Sequence, residues 1–244
     1  MNSDESPFPD GRHLFLAWST YKGARATFDA WYDEEHIPQI LSAPGMIGAQ
    51  RFVLDETKPV PGTKPADYGH LAMYELNGDL SGFREEVKRQ LMSGEMVLPD
   101  FMNPPFTTLL LKPVSEIFDG QSRSEGDLAD RHLFLAFSRH TGDYEAFADW
   151  YDSVHIPQIL GMSGMARVQR FMQSEVKPLP GVKTPDAYHL TLCELAGTPS
   201  AFRDEFKQAM VSGEAEIPDF MVQPFETVFL RPASRFASAV GVQA

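Results

Sequence analysis

Two stretches of this sequence, WYDEEHIPQIL at residues 31–41 and WYDSVHIPQIL at residues 150–160, carry a histidine in the same surroundings. An imidazole gains and loses a proton near neutral pH, so His36 and His155 are candidates for general acid–base catalysis. On a helical wheel both histidines fall at the edge of an apolar face, in the last turn of a predicted helix, where the helix dipole favours a cation. The alternative is that both rings only bond the final helix carbonyls or a neighbouring strand.

The tyrosine and the aspartate that precede each histidine extend this hypothesis. The tyrosines are predicted to point inward, where a phenol can donate a hydrogen bond to a substrate oxygen, although a half-buried tyrosine is also common in a plain core. The aspartates stand three residues before the histidines, near enough to orient the imidazole, while the wheel also directs them toward solvent. The candidate catalytic residues are His36, His155, Tyr32, Tyr151, Asp33 and Asp152.

A second group of paired residues is suited to binding a substrate. The tryptophans of the two stretches belong to the same apolar face as the tyrosines. The arginines of the two QRF sequences could hold a carboxylate or an enolate, or they pair instead with Glu75 and Glu194 on the neighbouring strand. A histidine of the third predicted strand recurs in both places and is either a ligand contact or a structural residue. The candidate substrate-binding residues are Trp31, Trp150, Arg51, Arg170, His70 and His189.

These residues recur because the chain contains an internal repeat. A gap-free shift aligns Arg12–Ser115 with Arg131–Ser234, and about half of the aligned positions are identical, far beyond chance for self-comparison. The segment between the repeats is polar and acidic, which is typical of a solvated linker. The predicted organisation is an N-terminal tail (1–11), a first repeat (12–115), an acidic linker (116–130), a second repeat (131–234) and a C-terminal tail (235–244).

Hydrophobic periodicity predicts the order β-α-β-β-α-β in each repeat. The helix that carries the histidine is predicted to run from about residue 24 to 36, and from 143 to 155, and to stop before Pro38 or Pro157. This order belongs to the α+β class and the ferredoxin-like fold, with both helices on one face of an antiparallel sheet. Since the other face must also be buried, the repeats are predicted to join sheet to sheet as one intramolecular barrel. If the leucine face of the third strand meets the helices, His70 points into that barrel.

Composition excludes several classes of protein. A net charge of -13 without a local cluster of Lys and Arg argues against nucleic-acid binding and against anionic membranes. The single cysteine, Cys193, cannot form an internal disulfide, and the spacing of His, Cys and carboxylates predicts no metal site. No apolar run reaches the roughly 18 residues of a membrane helix, and the acidic N-terminus is unlike a signal peptide, which predicts a cytoplasmic protein.

The WYDEEHIPQIL stretch, followed by SAPGMIGAQRF, resembles the EthD-like branch of the dimeric α+β barrel superfamily. That branch is typified by Trp-Tyr-acidic-x-x-His-x-Pro on the first helix and by Pro-Gly before Arg-Phe on the second strand. The second repeat, with GMSGMARVQRF, lacks the proline. The resemblance covers both repeats and implies a homodimer-like barrel made here by a fused tandem duplication. The wider superfamily includes cofactor-independent monooxygenases, polyketide cyclases, lactone isomerases, dehydratases and haem enzymes.

The residues and the resemblance together predict a cofactor-independent enzyme of lyase or isomerase type. It would act by acid–base chemistry on a small hydrophobic molecule that carries a carbonyl or a phenol. One alternative is a monooxygenase, either cofactor-independent or haem-dependent with a histidine ligand. Another is a non-catalytic protein that binds a small molecule. The expected partner is the substrate alone, with a homo-oligomer of the fused unit as a further possibility.

The two repeats also differ at a few positions where pockets are expected to open. Cys193 replaces Tyr74, and nothing in its sequence marks it as an activated thiol. The stretches PDFMNPPF and PDFMVQPF are predicted to line, or simply to fill, an apolar cleft between the second helix and the sheet. The differences predict that one pocket keeps a reaction while the other diverges. Trp18, Thr20 and Tyr21 are replaced by Phe137, Arg139 and His140.

Overall fold

The computed structural model describes residues 12–65, 69–120, 130–184 and 189–239. The first repeat consists of β1 (His13–Ser19), α1 (Arg25–Trp31), a π-helical segment (Tyr32–His36), α2 (Ile37–Leu41), β2 (Met46–Leu54), β3 (Lys64–Pro65), β4 (His70–Leu76), α3 (Leu80–Ser93) and β5 (Thr107–Pro113), followed by β6 (Phe118–Asp119). The second consists of β7 (His132–Ser138), α4 (Tyr144–Trp150), a π-helical segment (Tyr151–His155), α5 (Ile156–Leu160), β8 (Met165–Gln173), β9 (His189–Leu195), α6 (Pro199–Ser212) and β10 (Glu226–Pro232), followed by β11 (Ala237–Ser238).

Eight long strands form one closed antiparallel barrel. The first repeat supplies β2, β4, β1 and β5, side by side in that order, and the second supplies β8, β9, β7 and β10. The two sheets join at both edges, because Leu111 in β5 pairs with Gln173 in β8 and Leu230 in β10 pairs with Leu54 in β2. Closure leaves neither sheet with a free edge along these strands. The predicted fold, two ferredoxin-like units joined in one α+β barrel, is confirmed.

Two further short strands pair with strands of the barrel. Phe118 in β6 pairs with Val168 in β8, and Ala237 in β11 pairs with Ala49 in β2. β6 lies at the start of the segment predicted as a linker, and β11 lies in the predicted C-terminal tail. Each repeat is therefore followed by a few residues that pair with a strand of the other repeat. The predicted tail 1–11 lies outside the described residues.

The inside of the barrel is a packed apolar core. Side chains alternate along each strand, so Leu14 and Leu16 point inward while Phe15 points toward the helices. The same alternation places Leu71 and Met73 inside, which turns His70 outward. The expectation that His70 points into the barrel is therefore wrong. The interior cluster contains Leu14, Leu16, Trp18, Phe52, Leu71, Met73, Leu109, Leu111, Leu133, Leu135, Phe137, Phe171, Leu190, Leu192, Val228 and Leu230.

One end of the interior holds a buried cluster of four charges. Arg12 lies between Glu75 and Glu194, at 2.8 Å from the Glu75 carboxylate. Arg131 donates to Glu75 at 2.8 Å and to Glu194 at 3.0 Å. Each repeat contributes one arginine and one glutamate, so the cluster ties the two halves together. Buried charges of this kind are tolerated because each is paired and hydrogen-bonded.

The helix that carries each histidine does not stop at the proline. In the first repeat it continues through Pro38 to Leu41, across a π-helical segment in which the Ile37 N–H donates to the Tyr32 carbonyl. The second repeat has the same arrangement around Pro157. A proline lacks the N–H that an α-helix requires, and the widened π turn changes the hydrogen-bond register just before it. We name residues 25–41 and 144–160 the first and second π-bulged helices.

Candidate functional site

Each repeat has a cavity between its helices and the outer face of the barrel. The first cavity has a volume of about 150 Å³ and the second about 90 Å³. One water needs at least roughly 10–15 Å³ on this measure, so each cavity has room for a small organic molecule.

The walls of both cavities are mostly apolar. The two Met/Phe-rich stretches line them as predicted, through Met102 and Phe106 in the first and Met221 and Phe225 in the second. The helices α3 and α6 form the opposite wall. The first cavity is lined by Phe15, Ala17, Trp18, Tyr32, His36, Ile40, Val87, Leu91, Met96, Leu98, Met102, Phe106 and Thr108. The second is lined by Phe134, Ala136, Ser138, Trp150, Tyr151, His155, Ile159, Thr191, Cys193, Phe206, Met210, Ile217, Met221, Gln223, Phe225 and Thr227.

A proline-containing loop from the opposite repeat completes each cavity. Residues 179–182 of the second repeat close the first cavity, and residues 60–63 of the first repeat close the second. Backbone bonds fix both loops, since the Lys183 N–H donates to the Phe106 carbonyl and the Lys64 N–H to the Phe225 carbonyl, each at 2.7 Å. Neither cavity is complete without the other repeat. The sequence analysis did not single out these loops, because their contact with the opposite repeat exists only in the folded barrel.

His36 and His155 line the first and second cavities. His36 stacks on Trp31 at 4.7 Å between ring centroids, and His155 stacks on Trp150 at 4.9 Å. A regular α-helix places residues five apart about 140° from each other, so it is the π turn that brings these rings face to face. Burial lowers the pKa of each histidine to about 4. The predicted cation at a helix end is therefore wrong, because the helix continues and both imidazoles are neutral at pH 7.

The tyrosines also reach the cavities, as predicted. Tyr32 lines the first and Tyr151 the second, and each ring meets its histidine edge-on at 5.0 Å. Burial raises the pKa of both phenols. Each is therefore a hydrogen-bond donor that stays protonated. In the second cavity Ser138 and Thr191 add two hydroxyl groups that the sequence analysis did not single out.

The aspartates bind arginine and do not orient the histidines. Arg51 donates to both carboxylate oxygens of Asp33, each at 2.7 Å, and Arg170 binds Asp152 in the same way at 2.8 and 2.7 Å. The imidazole–aspartate dyad is wrong. The alternative pairing of these arginines with Glu75 and Glu194 is also wrong, because those glutamates face the barrel interior.

Each arginine attaches the π-bulged helix to the sheet. The Arg51 guanidinium lies 5.4 Å from the Tyr32 ring centroid, and Arg170 lies 5.4 Å from that of Tyr151. Such contacts are cation–π interactions, and with the bidentate ion pair they fix the helix over the second strand. The repeated Trp-Tyr-Asp-x-x-His stretch thus combines two tasks. The tryptophan and the aspartate hold the helix, while the tyrosine and the histidine face the cavity.

The remaining candidates divide between the cavity and its surroundings. Trp150 lines the second cavity, whereas Trp31 is buried behind His36 against Phe101. His70 and His189 face the helices but belong to neither cavity lining. His70 lies against Phe28 at 5.1 Å, and His189 lies against Phe147 at 4.7 Å.

The two residues that the sequence offers as haem ligands, His36 and His155, are each stacked flat on a tryptophan. Within the described ranges, no group of three His, Cys, Asp or Glu side chains could hold a metal ion. In the same part of the chain no helix is long and apolar enough to cross a bilayer.

Comparison with known proteins gives matches among solved structures only. No protein-family model and no curated protein matches the chain. A candidate monooxygenase from Fusobacterium nucleatum superposes with a TM-score of 0.57 at 10% identity, over 96% of this chain and 97% of that one. An anthrone oxidase-like protein gives 0.55 at 11% identity, over 98% of each chain. A dye-decolorizing protein from V. cholerae gives 0.50 at 10% identity, over 94% of each.

This chain has the dimeric α+β barrel fold. The matches extend over nearly the whole of each chain, and one polypeptide here supplies both halves of the barrel. At 10–11% identity the likeness shows the fold and does not extend to a reaction.

Proposed function

We propose that this α+β barrel protein is an enzyme that removes a proton from a small, mostly apolar molecule carrying a carbonyl or a phenol. The observation that supports this most directly is the pairing, in both cavities, of a neutral buried histidine with a buried tyrosine hydroxyl. These two polar groups recur in both cavities, in walls that are mostly apolar. A neutral imidazole accepts a proton, and a phenol donates a hydrogen bond to an oxygen that becomes negative.

Burial makes the histidine a weak base while the cavity is empty. The pKa of about 4 reflects the cost of placing an imidazolium among apolar groups. When the substrate becomes an enolate or a phenolate beside it, the new anion offsets that cost. The two charges then stabilise each other in a site that excludes water. Proton transfer is therefore favoured for substrates whose anion is delocalised.

The fate of the anion defines the reaction class. The imidazolium can return its proton to another carbon, which gives isomerisation. It can instead protonate a departing hydroxyl group, which gives water and a dehydrated product. Both outcomes need only this chain's own residues and correspond to the lyase or isomerase type.

Capture of the anion by molecular oxygen is the second candidate. An electron-rich carbanion can bond to O₂ and take the imidazolium proton to give a hydroperoxide, which loses water and leaves a new carbonyl. The apolar cavities would admit this apolar gas. The names of two structural neighbours, a candidate monooxygenase and an anthrone oxidase-like protein, suggest the same chemistry.

The repeated motif supports a closer assignment, to the EthD-like branch, as a fused tandem duplication. Both copies place the histidine on a π-bulged helix, and each cavity depends on a loop from the other copy. A homodimer of one repeat would build its two sites in the same manner. The fused chain allows the two sites to differ.

Deuterium exchange tests the proposal without knowledge of the product. Small aromatic ketones and phenols, such as 1-tetralone and 1-naphthol, are incubated in D₂O with the wild type, His36→Ala, His155→Ala and the double variant. Mass spectrometry then measures the deuterium that becomes bound to carbon. The working cavity should lose exchange by about 100-fold or more when its histidine is removed, the usual loss for a general base. His70→Gln is the matched control, because His70 lies outside both cavity linings. An oxygen electrode, run in parallel, separates oxygenation from isomerisation.

Two results would contradict the proposal. One is equal exchange in all four proteins, which would make the histidines structural. The other is saturable binding of these compounds with no exchange or conversion in any protein, which would favour a binding role. Circular dichroism and urea unfolding confirm that each variant is folded before its activity is compared.

A further inference from the structure

The two arginines that hold the π-bulged helices differ in one hydrogen bond. In the first repeat, Arg51 Nη1 donates to Asp29 at 2.7 Å, in addition to the bidentate pair with Asp33. In the second repeat, the residue aligned with Asp29 is Ala148. Arg170 Nη1 is buried and has no hydrogen-bond partner among the described residues. Only 3% of the Arg170 side chain is exposed.

Two histidines pack on Phe147, the ring that Arg170 also contacts, and each has one ring nitrogen without a hydrogen-bond partner among the described residues. The Nδ1 atoms of His140 and His189 are buried and accept or donate no hydrogen bond within the described ranges. The two rings lie 5.2 Å apart, and the His140 ring stacks on Phe147 at 4.5 Å. Burial, followed by the charges of His140 and Arg170, lowers the pKa of His189 to about 4.

The first repeat shows what occupies the equivalent place. There the Asp29 carboxylate faces Arg51, and Arg25 donates to its other oxygen at 3.1 Å. Burial lowers the pKa of His70, and the same carboxylate opposes part of that lowering. In the second repeat Arg25 is replaced by Tyr144, whose ring lies flat on His189 at 5.7 Å. On that helix Asp149 directly follows Ala148, and its side chain is exposed.

We infer that the second repeat binds a small carboxylate ligand between Arg170, His140 and His189, in the position that the Asp29 side chain fills in the first repeat. A buried guanidinium N–H without a partner is costly, and a carboxylate is the acceptor that matches it best. The two imidazoles can each supply one N–H to the same anion. Tyr144, which is 37% exposed, is the side chain that moves to admit the ligand. This inference does not depend on the proposed function.

The ligand can be a free small acid or the carboxylate of a molecule in the second cavity. His189 and Thr191 share one face of β9, and Thr191 lines that cavity. Formate and benzoate are the two probes that distinguish these sources. Formate fits the anion position alone, whereas benzoate gains affinity only if its ring can enter the cavity.

Isothermal titration at constant ionic strength measures both probes, with chloride as the competing salt. The wild type should bind a carboxylate saturably at one site. Ala148→Asp supplies an internal carboxylate and should weaken that binding by about tenfold or more, the loss expected for a displaced charge-assisted hydrogen bond. NMR titration of the His189 ring gives a second readout, because the bound carboxylate should raise its pKa.

The reverse substitution can be made in the first repeat. Asp29→Ala should leave Arg51 Nη1 unpartnered and create a second carboxylate site, which does not require the Ala148→Asp variant to fold. Saturable binding that is lost in Ala148→Asp, or a second site gained in Asp29→Ala, supports the inference. No saturable binding to the wild type, or unchanged binding in both variants, overturns it.

Discussion

The first and second cavities share their supporting residues and differ in their walls. Both have the tryptophan–histidine stack, the bidentate arginine–aspartate pair and the loop from the opposite repeat. The walls differ at β4 and β9, where Ala72 and Tyr74 in the first repeat correspond to Thr191 and Cys193 in the second. Tyr74 is fully buried and stacks on Phe15, whereas Thr191 and Cys193 line the second cavity. The scaffold therefore positions the same base over two pockets whose walls differ in sequence.

This difference separates residues that hold the helix from residues that select a ligand. A substitution in the shared scaffold should affect both cavities or the whole barrel. A substitution in the walls should affect one cavity only. The predictions below test this division.

The largest effect is expected from the charge cluster that joins the halves. Glu75→Gln or Glu194→Gln leaves buried arginine charge uncompensated and should lower the free energy of unfolding by about 3–5 kcal/mol. Glu194→Gln should cost more, because Arg167 also lies 3.7 Å from Glu194, while Gly48 stands at the aligned position near Glu75. Urea unfolding measures both variants. Equal losses would mean that Arg167 contributes nothing.

The sequence predicted the barrel because its pattern is strictly local. Short apolar runs in β1 and β7, alternation in β4 and β9 and the gap-free repeat were enough to identify four strands and two helices in each half. One uncovered sheet face implied the closure. The predicted direction of the His70 side chain was wrong. The strand presents leucines on one face and His70, Ala72 and Tyr74 on the other, and only the assembled barrel shows which face is inside.

The sequence predicted which residues line the site, but it did not predict which residues they contact. His36 and Tyr32 reach the cavity as expected, but the π turn changed the angular relations that the helical wheel assumed. Trp31 stacks on His36 across the turn, although the wheel placed only the tryptophan on the apolar face and the histidine at its edge. The partner of Asp33 is an arginine eighteen residues away on another element. Such long-range pairing has no signal in a single sequence.

The next largest effect concerns acid stability. Burial lowers the pKa of His36, His155 and His189 to about 4, below the roughly 6.5 of an unfolded chain. Between these values the unfolded state binds more protons, so each contribution is present above pH 6.5 and is lost as the pH falls through about 4. Each histidine should contribute up to about 3 kcal/mol to this loss. Urea unfolding from pH 7 to 4 measures it.

Replacement of the cavity histidines isolates their share of that loss. Between pH 6.5 and 4, His36→Gln and His155→Gln should each weaken the pH dependence of the free energy of unfolding. The two effects should be similar, because the surroundings of the two histidines match. A flattening in only one variant would show that the two stacks differ in burial. Activity should persist below pH 6, since the working base stays neutral down to about pH 4.

A smaller effect is expected where the loops cross. Val60 is 2% exposed and closes the second cavity, so Val60→Ala should lower stability by about 1–2 kcal/mol and weaken binding of 1-naphthol there. Leu179→Ala is the converse change for the first cavity. NMR signals of the His155 and His36 rings report each cavity separately. A Val60→Ala protein that perturbs only the His36 ring would contradict the crossed arrangement.

The smallest effect is expected from one hydroxyl in the walls. Thr191 lies beside the Tyr151 hydroxyl and opposes the rise in its pKa that burial causes. Thr191→Ala removes that neighbour and should cost about 0.5–1.5 kcal/mol, with a matching loss of affinity for a phenol in the second cavity. Ala72→Thr places a hydroxyl at the aligned position of the first repeat and should move phenol affinity there in the opposite direction. If both substitutions change both cavities equally, the walls do not act independently. Ligand selection would then lie in the loops, which each half receives from the other.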